Sequence, residues 1–231
     1  MMTRYISRFG HRMSDDSSRP SPTAAGATPG AWTFFRQWLK NPRAIAALAP
    51  SGRQLARQMV AQVPVGARRI VELGAGTGVF TRALLEHGIA SNELLVVELN
   101  DELARLLQQQ FPHSLVVNGD ACDLSGIVAR SGFVDTGSVD AVVSGLGFLA
   151  MPRALQKQIL QAVFAVLGVN APLIQFTYGP SSPLPRDLLD ELGLSVRRAG
   201  LALLNVPPAT VYVYTRNRST SIPAMRAGDA S

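Results

Sequence analysis

The chain carries one cysteine, Cys122, in 231 residues. That excludes an internal disulfide framework and any cysteine-rich metal site. Histidine is nearly as scarce. His11, His87 and His113 are scattered with no ligand spacing, so no metal is expected. No run of ~18 apolar residues occurs, so no transmembrane helix is expected. The N-terminus is basic but has no apolar segment of the kind a secretory signal needs. Internal repeats are absent. Only Lys40 and Lys157 break a series of arginines among the 22 basic residues. Together these absences favour a cytoplasmic chain.

What is present is 47% hydrophobic and 16% charged residues, enough for one sizeable core built on buried strands. The net charge of +6 conceals an asymmetry. Residues 1–69 hold eleven Arg/Lys against two acids, a balance of +9; residues 70–194 hold six against thirteen, or −7; residues 195–231 hold five against one, or +4. Basic flanks around an acidic centre imply an anionic partner, either nucleic acid or an anionic membrane.

Hydrophobic patterning predicts an alternation of elements. Residues 1–30 read as a disordered basic arm, rich in Ser, Pro, Gly and Ala from 14 onward. Residues 31–66 hold two helices, at 31–40 and 51–62. Strands are expected at 68–73, 93–98, 114–118, 138–144 and 172–177, and helices at 78–87, 101–110, 153–167 and 185–192. A polar stretch separates the third strand from the fourth. Two β-rich runs, 195–204 and 209–215, flank Pro207-Pro208 and close the domain at 216; residues 217–231 read as a disordered tail. Strands alternating with helices imply a parallel sheet, and the final pair an antiparallel hairpin. The fold class is therefore α/β and Rossmann-like, a mostly parallel seven-stranded sheet with a terminal antiparallel hairpin and N-terminal helices.

The string Ile70-Val-Glu-Leu-Gly-Ala-Gly-Thr-Gly78 joins a buried strand to a helix through a turn almost free of side chains. Glycine permits positive φ and close approach of a ligand to backbone. Gly74, Gly76 and Gly78 are spaced Gly-x-Gly-x-Gly, unlike the Gly-x-Gly-x-x-Gly of dinucleotide sites, and no Gly-Lys-Ser/Thr follows. Glu72, two residues before the first glycine, would repel a pyrophosphate but can meet an ammonium. The string resembles motif I of the class I S-adenosylmethionine-dependent methyltransferases, where it binds the methionine end of the cofactor.

Further residues fit that resemblance in order. Glu98 ends the second strand, where an acid binds ribose hydroxyls in nucleotide-binding α/β folds. Asn118-Gly119-Asp120-Ala121 follows the third strand; in the family an Asp here meets the adenine amino group. Asp140 opens the fourth strand, which ends in Ser144-Gly145-Leu146-Gly147. Each has a plainer reading: Glu98 as a helix-capping carboxylate, Asp120 as the closure of a turn. Cys122 reads as a small half-buried residue rather than a nucleophile.

For the acceptor, the segment 144–152, Ser-Gly-Leu-Gly-Phe-Leu-Ala-Met-Pro, lacks the Asn/Asp-Pro-Pro-Tyr pattern of enzymes that methylate base amines. It also lacks a cysteine for attack on a pyrimidine, and both absences argue against a nucleic-acid substrate. At ~100° per residue, Trp32, Phe34, Phe35, Trp38 and Leu39 share an arc of about 160°, opposite Thr33, Arg36, Gln37 and Lys40. A short helix with an aromatic and a basic face can lie in a membrane interface, or can cover the core or the mouth of the site.

From Trp32 to Arg216 the chain is similar to the bacterial phospholipid N-methyltransferases of the PmtA type, which convert phosphatidylethanolamine towards phosphatidylcholine. The similarity is carried by Phe35 to Ser51, Glu72 to Gly78, Val97 to Asn100, Gly119-Asp120-Ala121, Ser144-Gly145-Leu146 with Pro152, and Gln175-Phe-Thr-Tyr-Gly-Pro180. Position 147 is Gly where the family often has Pro. The resemblance implies S-adenosylmethionine as cofactor, held by Ser51, Glu72, Gly74, Gly76, Gly78, Glu98, Asp120, Ala121 and Ser144. It places the lipid amine near Ser144, Gly145 and Tyr178. Trp32, Phe35, Arg36, Trp38 and Lys40 are the expected membrane-binding residues, and Arg43, Arg53 and Arg153 the candidates for lipid phosphate. The implied partners are a phospholipid substrate and an anionic membrane surface, at the cytoplasmic face of the inner membrane, with no obligate protein partner. An RNA or small-molecule methyltransferase, and a non-catalytic lipid-binding protein on the same fold, are the alternatives.

Overall fold

The computed structural model describes residues 49–133, 139–203 and 208–217. The expected helix at 31–40, with Trp32, Phe35, Arg36, Trp38 and Lys40, lies outside the described residues, as do Arg43, residues 1–30 and residues 218–231. Of Ser51 only its place in a helix is described.

Seven strands form one sheet in the order β3-β2-β1-β4-β5-β7-β6. They are β1 Ile70–Leu73, β2 Leu94–Glu98, β3 Leu115–Asn118, β4 Ala141–Ser144, β5 Leu173–Tyr178, β6 Leu194–Ala202 and β7 Ala209–Arg216. The helices are α1 Ala49–Val60, α2 Val79–Glu86, α3 Asp101–Gln110, α4 Leu124–Ser131, α5 Arg153–Val166 and α6 Arg186–Glu191. Strands β1 to β5 run parallel, and β7 is antiparallel to both β5 and β6. The reversed strand of the closing pair is therefore inserted between β5 and β6.

Strands β1, β2 and β4 are buried at every residue, as a parallel sheet covered on both faces requires. On one face Val71, Leu73, Leu95, Val97 and Val142 pack beneath α4, α5 and α6; on the other Ile70, Val96, Val143, Ile174 and Phe176 pack beneath α1, α2 and α3.

Helix α4 departs from the sequence reading, which saw only a polar stretch there. Gly119, Asp120, Asp123, Ser125 and Gly126 lend the segment its polar character, but Leu124, Ile127 and Val128 form a buried stripe at helical spacing. Parallel strands β3 and β4 need a crossover, and this short helix supplies it.

Strand order reverses between β1 and β4, so the crevice of the sheet opens at their carboxyl ends. Leu73 is level with Val97 on one side and Ser144 on the other. Asp140 sits at the opposite edge. Its Oδ2 accepts from the Arg68 and Arg69 amides at 2.8 and 2.9 Å, which fixes the start of β1 rather than any ligand.

Candidate functional site

The glycine turn grows directly out of β1. Gly74 N–H donates to the Val97 carbonyl at 2.8 Å and Gly145 N–H to the Leu73 carbonyl at 2.8 Å, which extends the ladder past the last strand residues. Gly74, Gly76 and Gly78 have φ of 67°, 57° and 77°, a region that L side chains with a Cβ enter only at a cost. Space forbids a side chain too. A Cβ at Gly74 would lie 2.8 Å from Leu146 Cδ2, and one at Gly78 would lie 2.5 Å from Phe111 Cε2. Gly78 caps α2 without a side-chain bond, so the first amides of that helix have no side-chain acceptor from their cap.

Two carboxylates stand under this turn. Glu72 is fully buried. Its Oε2 accepts from Thr81 Oγ1 at 2.6 Å, while Oε1 is buried with no partner. Burial pushes its carboxyl up to about 8, Thr81 opposes the shift through its side chain and backbone, and the nearby Glu98 adds to it. Glu98 is 7% exposed. Its Oε2 accepts from Gly76 N–H and its Oε1 from Asn100 N–H, both at 2.9 Å. Asn100, not Glu98, caps α3, its Oδ1 accepting from Leu103 N–H at 3.0 Å. Glu98 thus ties the end of β2 to the glycine turn, and the helix-cap reading does not hold.

Asp120 closes a turn: its Oδ1 accepts from Cys122 N–H at 2.9 Å and begins the 3-10 turn Ala121–Asp123. Its carboxyl is exposed, and Ala121 is buried beside it. Asn118 donates from Nδ2 to the Glu98 and Leu99 carbonyls, both at 3.0 Å, and so joins the second and third strand ends. Burial and the neighbouring Asp120 push the Cys122 thiol up, away from the thiolate that a nucleophile needs.

Across the crevice, Ser144 is fully buried and its Oγ accepts from Leu146 N–H at 3.3 Å. A Cβ on Gly145 would lie 2.5 Å from the Gly74 carbonyl oxygen. Only glycine lets this loop approach the turn so closely. Gly147 has φ −84°, so its backbone does not demand glycine. Tyr178 ends β5, with its ring edge-to-face on Phe176 at 5.5 Å, and Phe176 in turn 5.7 Å from Phe80. Burial pushes the Tyr178 phenol up, so it stays protonated at neutral pH. Ser144 is level with Gln175; Tyr178, three residues further on, belongs to the opposite face of the sheet, packed with the α1–α2 layer. The structure therefore brings Ser144 and Gly145 to the turn and stands Tyr178 at the same edge on the Glu72 face.

Arg153 pairs with Asp187 at 2.6 Å and Glu191 at 3.0 Å; its charge is matched by α6, which argues against a phosphate contact. Arg53 is exposed on α1. Thr81, Gln156 and Gln175 are polar groups of the site that the sequence reading left without a role. Thr81 carries a signal in hindsight: it falls in the first turn of the helix that follows the glycines, where its hydroxyl faces back to β1.

The residues present fit S-adenosylmethionine. The glycine turn presents backbone without side chains at the crevice, the orphaned Glu72 oxygen suits an ammonium, and Glu98 lies at the strand end. A family model described as a methyltransferase domain matches residues 70–170. The chain is 34% identical over 185 residues to an ornithine lipid N-methyltransferase of Singulisphaera acidiphila, covering 78% of this chain and 92% of that one. Its fold is similar to that of a magnesium protoporphyrin IX methyltransferase from Synechocystis solved with bound S-adenosylmethionine (TM-score 0.57, 13% identity, 84% of this chain and 100% of that one). It is also similar to a TehB-like methyltransferase from Corynebacterium glutamicum (TM-score 0.53, 20% identity, 81% and 98%). The chain belongs to the class I S-adenosylmethionine-dependent methyltransferases, in the family that holds this lipid N-methyltransferase. It is an S-adenosylmethionine-dependent N-methyltransferase, and that sulfonium is its cofactor.

Proposed function

We propose that the chain methylates the head-group amine of a membrane lipid, with phosphatidylethanolamine and its mono- and dimethyl derivatives as acceptors on the way to phosphatidylcholine. The observation that carries this reading is the uncharged acceptor edge. Among residues 144–152 and 175–178 the Tyr178 phenol is the only ionisable group, and burial keeps it protonated. An amine attacks only through its free lone pair. A carboxylate beside it would favour the ammonium form; this edge offers none.

The cofactor, when bound, supplies a methyl group on a good neutral leaving group. The protein's part is placement. Glu72 and Glu98 offer carboxyl oxygens to a cationic ligand, Glu72 giving up on binding the proton that burial holds on it, and the 74–78 turn admits the ligand against backbone. Leu146 and Gly145 bring the acceptor loop onto that turn. The Tyr178 hydroxyl accepts an amine hydrogen, and its ring face suits a growing methylammonium. With no carboxylate or imidazole at this edge, the amine proton leaves to water.

Among the described residues no helix is long and apolar enough to cross a membrane. The reading includes a peripheral contact with the anionic cytoplasmic surface of the inner membrane through the aromatic and basic residues of 32–40. Ornithine lipid is the second acceptor reading, favoured by the relative in Singulisphaera. Thin-layer analysis of lipids from a host that makes neither phosphatidylcholine nor methylated ornithine lipid tests both. New methylated phosphatidylethanolamines support the first reading, methylated ornithine lipid replaces it with the second, and neither product in cells containing folded protein defeats the lipid reading.

A further inference from the structure

Beneath the acceptor loop lie two buried glutamines, Gln175 and Gln156. Gln175, on β5 and fully buried, donates from Nε2 to the Leu146 carbonyl at 2.8 Å and the Phe176 carbonyl at 2.6 Å. Gln156, on α5 and 5% exposed, donates from Nε2 to the Phe148 carbonyl at 2.8 Å and the Met151 carbonyl at 3.3 Å. The Oε1 of each is buried and has no partner. An orphaned buried amide oxygen is unfavourable, and an apolar side chain of similar size would avoid it. What the amides add is the four carbonyl bonds.

Three of those bonds, to Leu146, Phe148 and Met151, fall where the loop has least other support; the fourth is to Phe176 on β5 itself. Phe148, Ala150 and Met151 N–H groups bond only within the loop, to the carbonyls of Leu146, Gly147 and Phe148. Gly145 is held by Leu73. Beyond it, segment 146–151 is tied to the rest of the protein by these two glutamines and by the longer Leu146 N–H bond to Ser144 Oγ at 3.3 Å. Leu146 is the joint between the two sides of the crevice: its side chain lies over Gly74, and its carbonyl is held by Gln175.

We propose that Gln175 and Gln156 are positioning residues for methyl transfer, an amide clamp that sets the distance between the acceptor loop and the glycine turn. The proposal rests on the reading above that residues 144–152 face the acceptor. The clamp acts on the loop and leaves the cofactor cradle alone, so its loss lowers kcat and spares cofactor affinity.

Full-length Q175L, Q156L and Q175E decide it. Four quantities are read: S-adenosylhomocysteine formation with aminolipid vesicles, S-adenosylhomocysteine affinity by calorimetry, amide hydrogen exchange and melting temperature. In Q175L kcat falls about tenfold, the worth of one or two neutral hydrogen bonds, and in Q156L by less. Cofactor-product affinity stays at the wild-type value. Exchange of amides 146–151 quickens while that of 74–78 does not. Q175E adds a signature that fold support alone would not give. Its carboxyl can donate only when protonated, so its activity declines with rising pH through a raised carboxyl pKa, a limb the wild type lacks. Should Q175L not fold, that limb carries the test. Equal losses of affinity, melting temperature and kcat overturn the proposal, as does a wild-type kcat in all three variants. If the wild type methylates no aminolipid, the acceptor reading fails separately; exchange then decides the clamp, and unchanged loop exchange in the variants overturns it.

Discussion

At the ends of β1 and β2 the crevice is edged by two buried carboxylates, Glu72 and Glu98, around a turn of three left-handed glycines. At the ends of β4 and β5 it is edged by Ser144, Gln175, Thr177 and Tyr178, none of them a carboxylate or a cation. The first side suits a ligand that arrives carrying positive charge. The second suits a nucleophile that must not carry it. A carboxylate on the second side would hold an amine as ammonium and bury its lone pair in a proton. One protein can favour a cation and a neutral amine a few ångströms apart only if the two sides differ in this way, and the contact between them, Leu146 over Gly74, is apolar.

The largest expected effect breaks the first side. Glu72→Gln keeps a partner for Thr81 but removes the carboxylate available to a bound cation, and above pH 8 S-adenosylmethionine affinity should fall about a hundredfold, the scale of one charged hydrogen bond, with a smaller loss at lower pH. The same substitution should alter the pH dependence of the ligand-free protein. The folded-state pKa of Glu72 is raised from 4.5 to about 8. Between those values the native state keeps a proton that the unfolded chain loses. The stability contribution is thus full below pH 4.5, falls as pH rises, and is gone above about 8. Melting curves should show the wild type losing ground to Glu72→Gln across that window. A constant difference would contradict the buried, uncompensated carboxyl.

A smaller effect joins the two sides. Gly145→Ala puts a methyl 2.5 Å from the Gly74 carbonyl, so the loop or the turn must move. Overpacking of this kind costs about 1–3 kcal/mol, and both cofactor affinity and turnover should drop, which urea unfolding and calorimetry can follow together. Tyr178→Phe tests the second side alone. It should lower kcat about fivefold, one hydrogen bond's worth, with cofactor affinity untouched. Smallest is Gly147→Pro: with φ already at −84°, proline should change stability by less than ~1 kcal/mol and leave the cofactor site as it is.

The first side was legible in sequence because its chemistry needs a contiguous string: strand, glycines, helix, with Glu98 at the next strand end. Composition also revealed the alternation of strands and helices. The second side was much less legible. Gln156 and Gln175 lie nineteen residues apart on a helix and a strand, and only the fold brings both beneath one loop. Thr81 looks like an ordinary helix residue until β1 places Glu72 behind it. Helix α4 was hidden because eight residues with three buried positions give too short a stripe to stand out against the surrounding Gly, Asp and Ser. Asp140 looked like part of the site because it opens β4, but it anchors the opposite edge of the sheet.

The most direct test of this division is turnover with vesicles. Purified full-length protein, S-adenosylmethionine and vesicles of phosphatidylethanolamine in anionic lipid should yield S-adenosylhomocysteine and N-methylated lipid in step, while vesicles without an aminolipid yield neither. Tight cofactor binding with no turnover above background on phosphatidylethanolamine or ornithine lipid would leave the first side standing and contradict the account of the second.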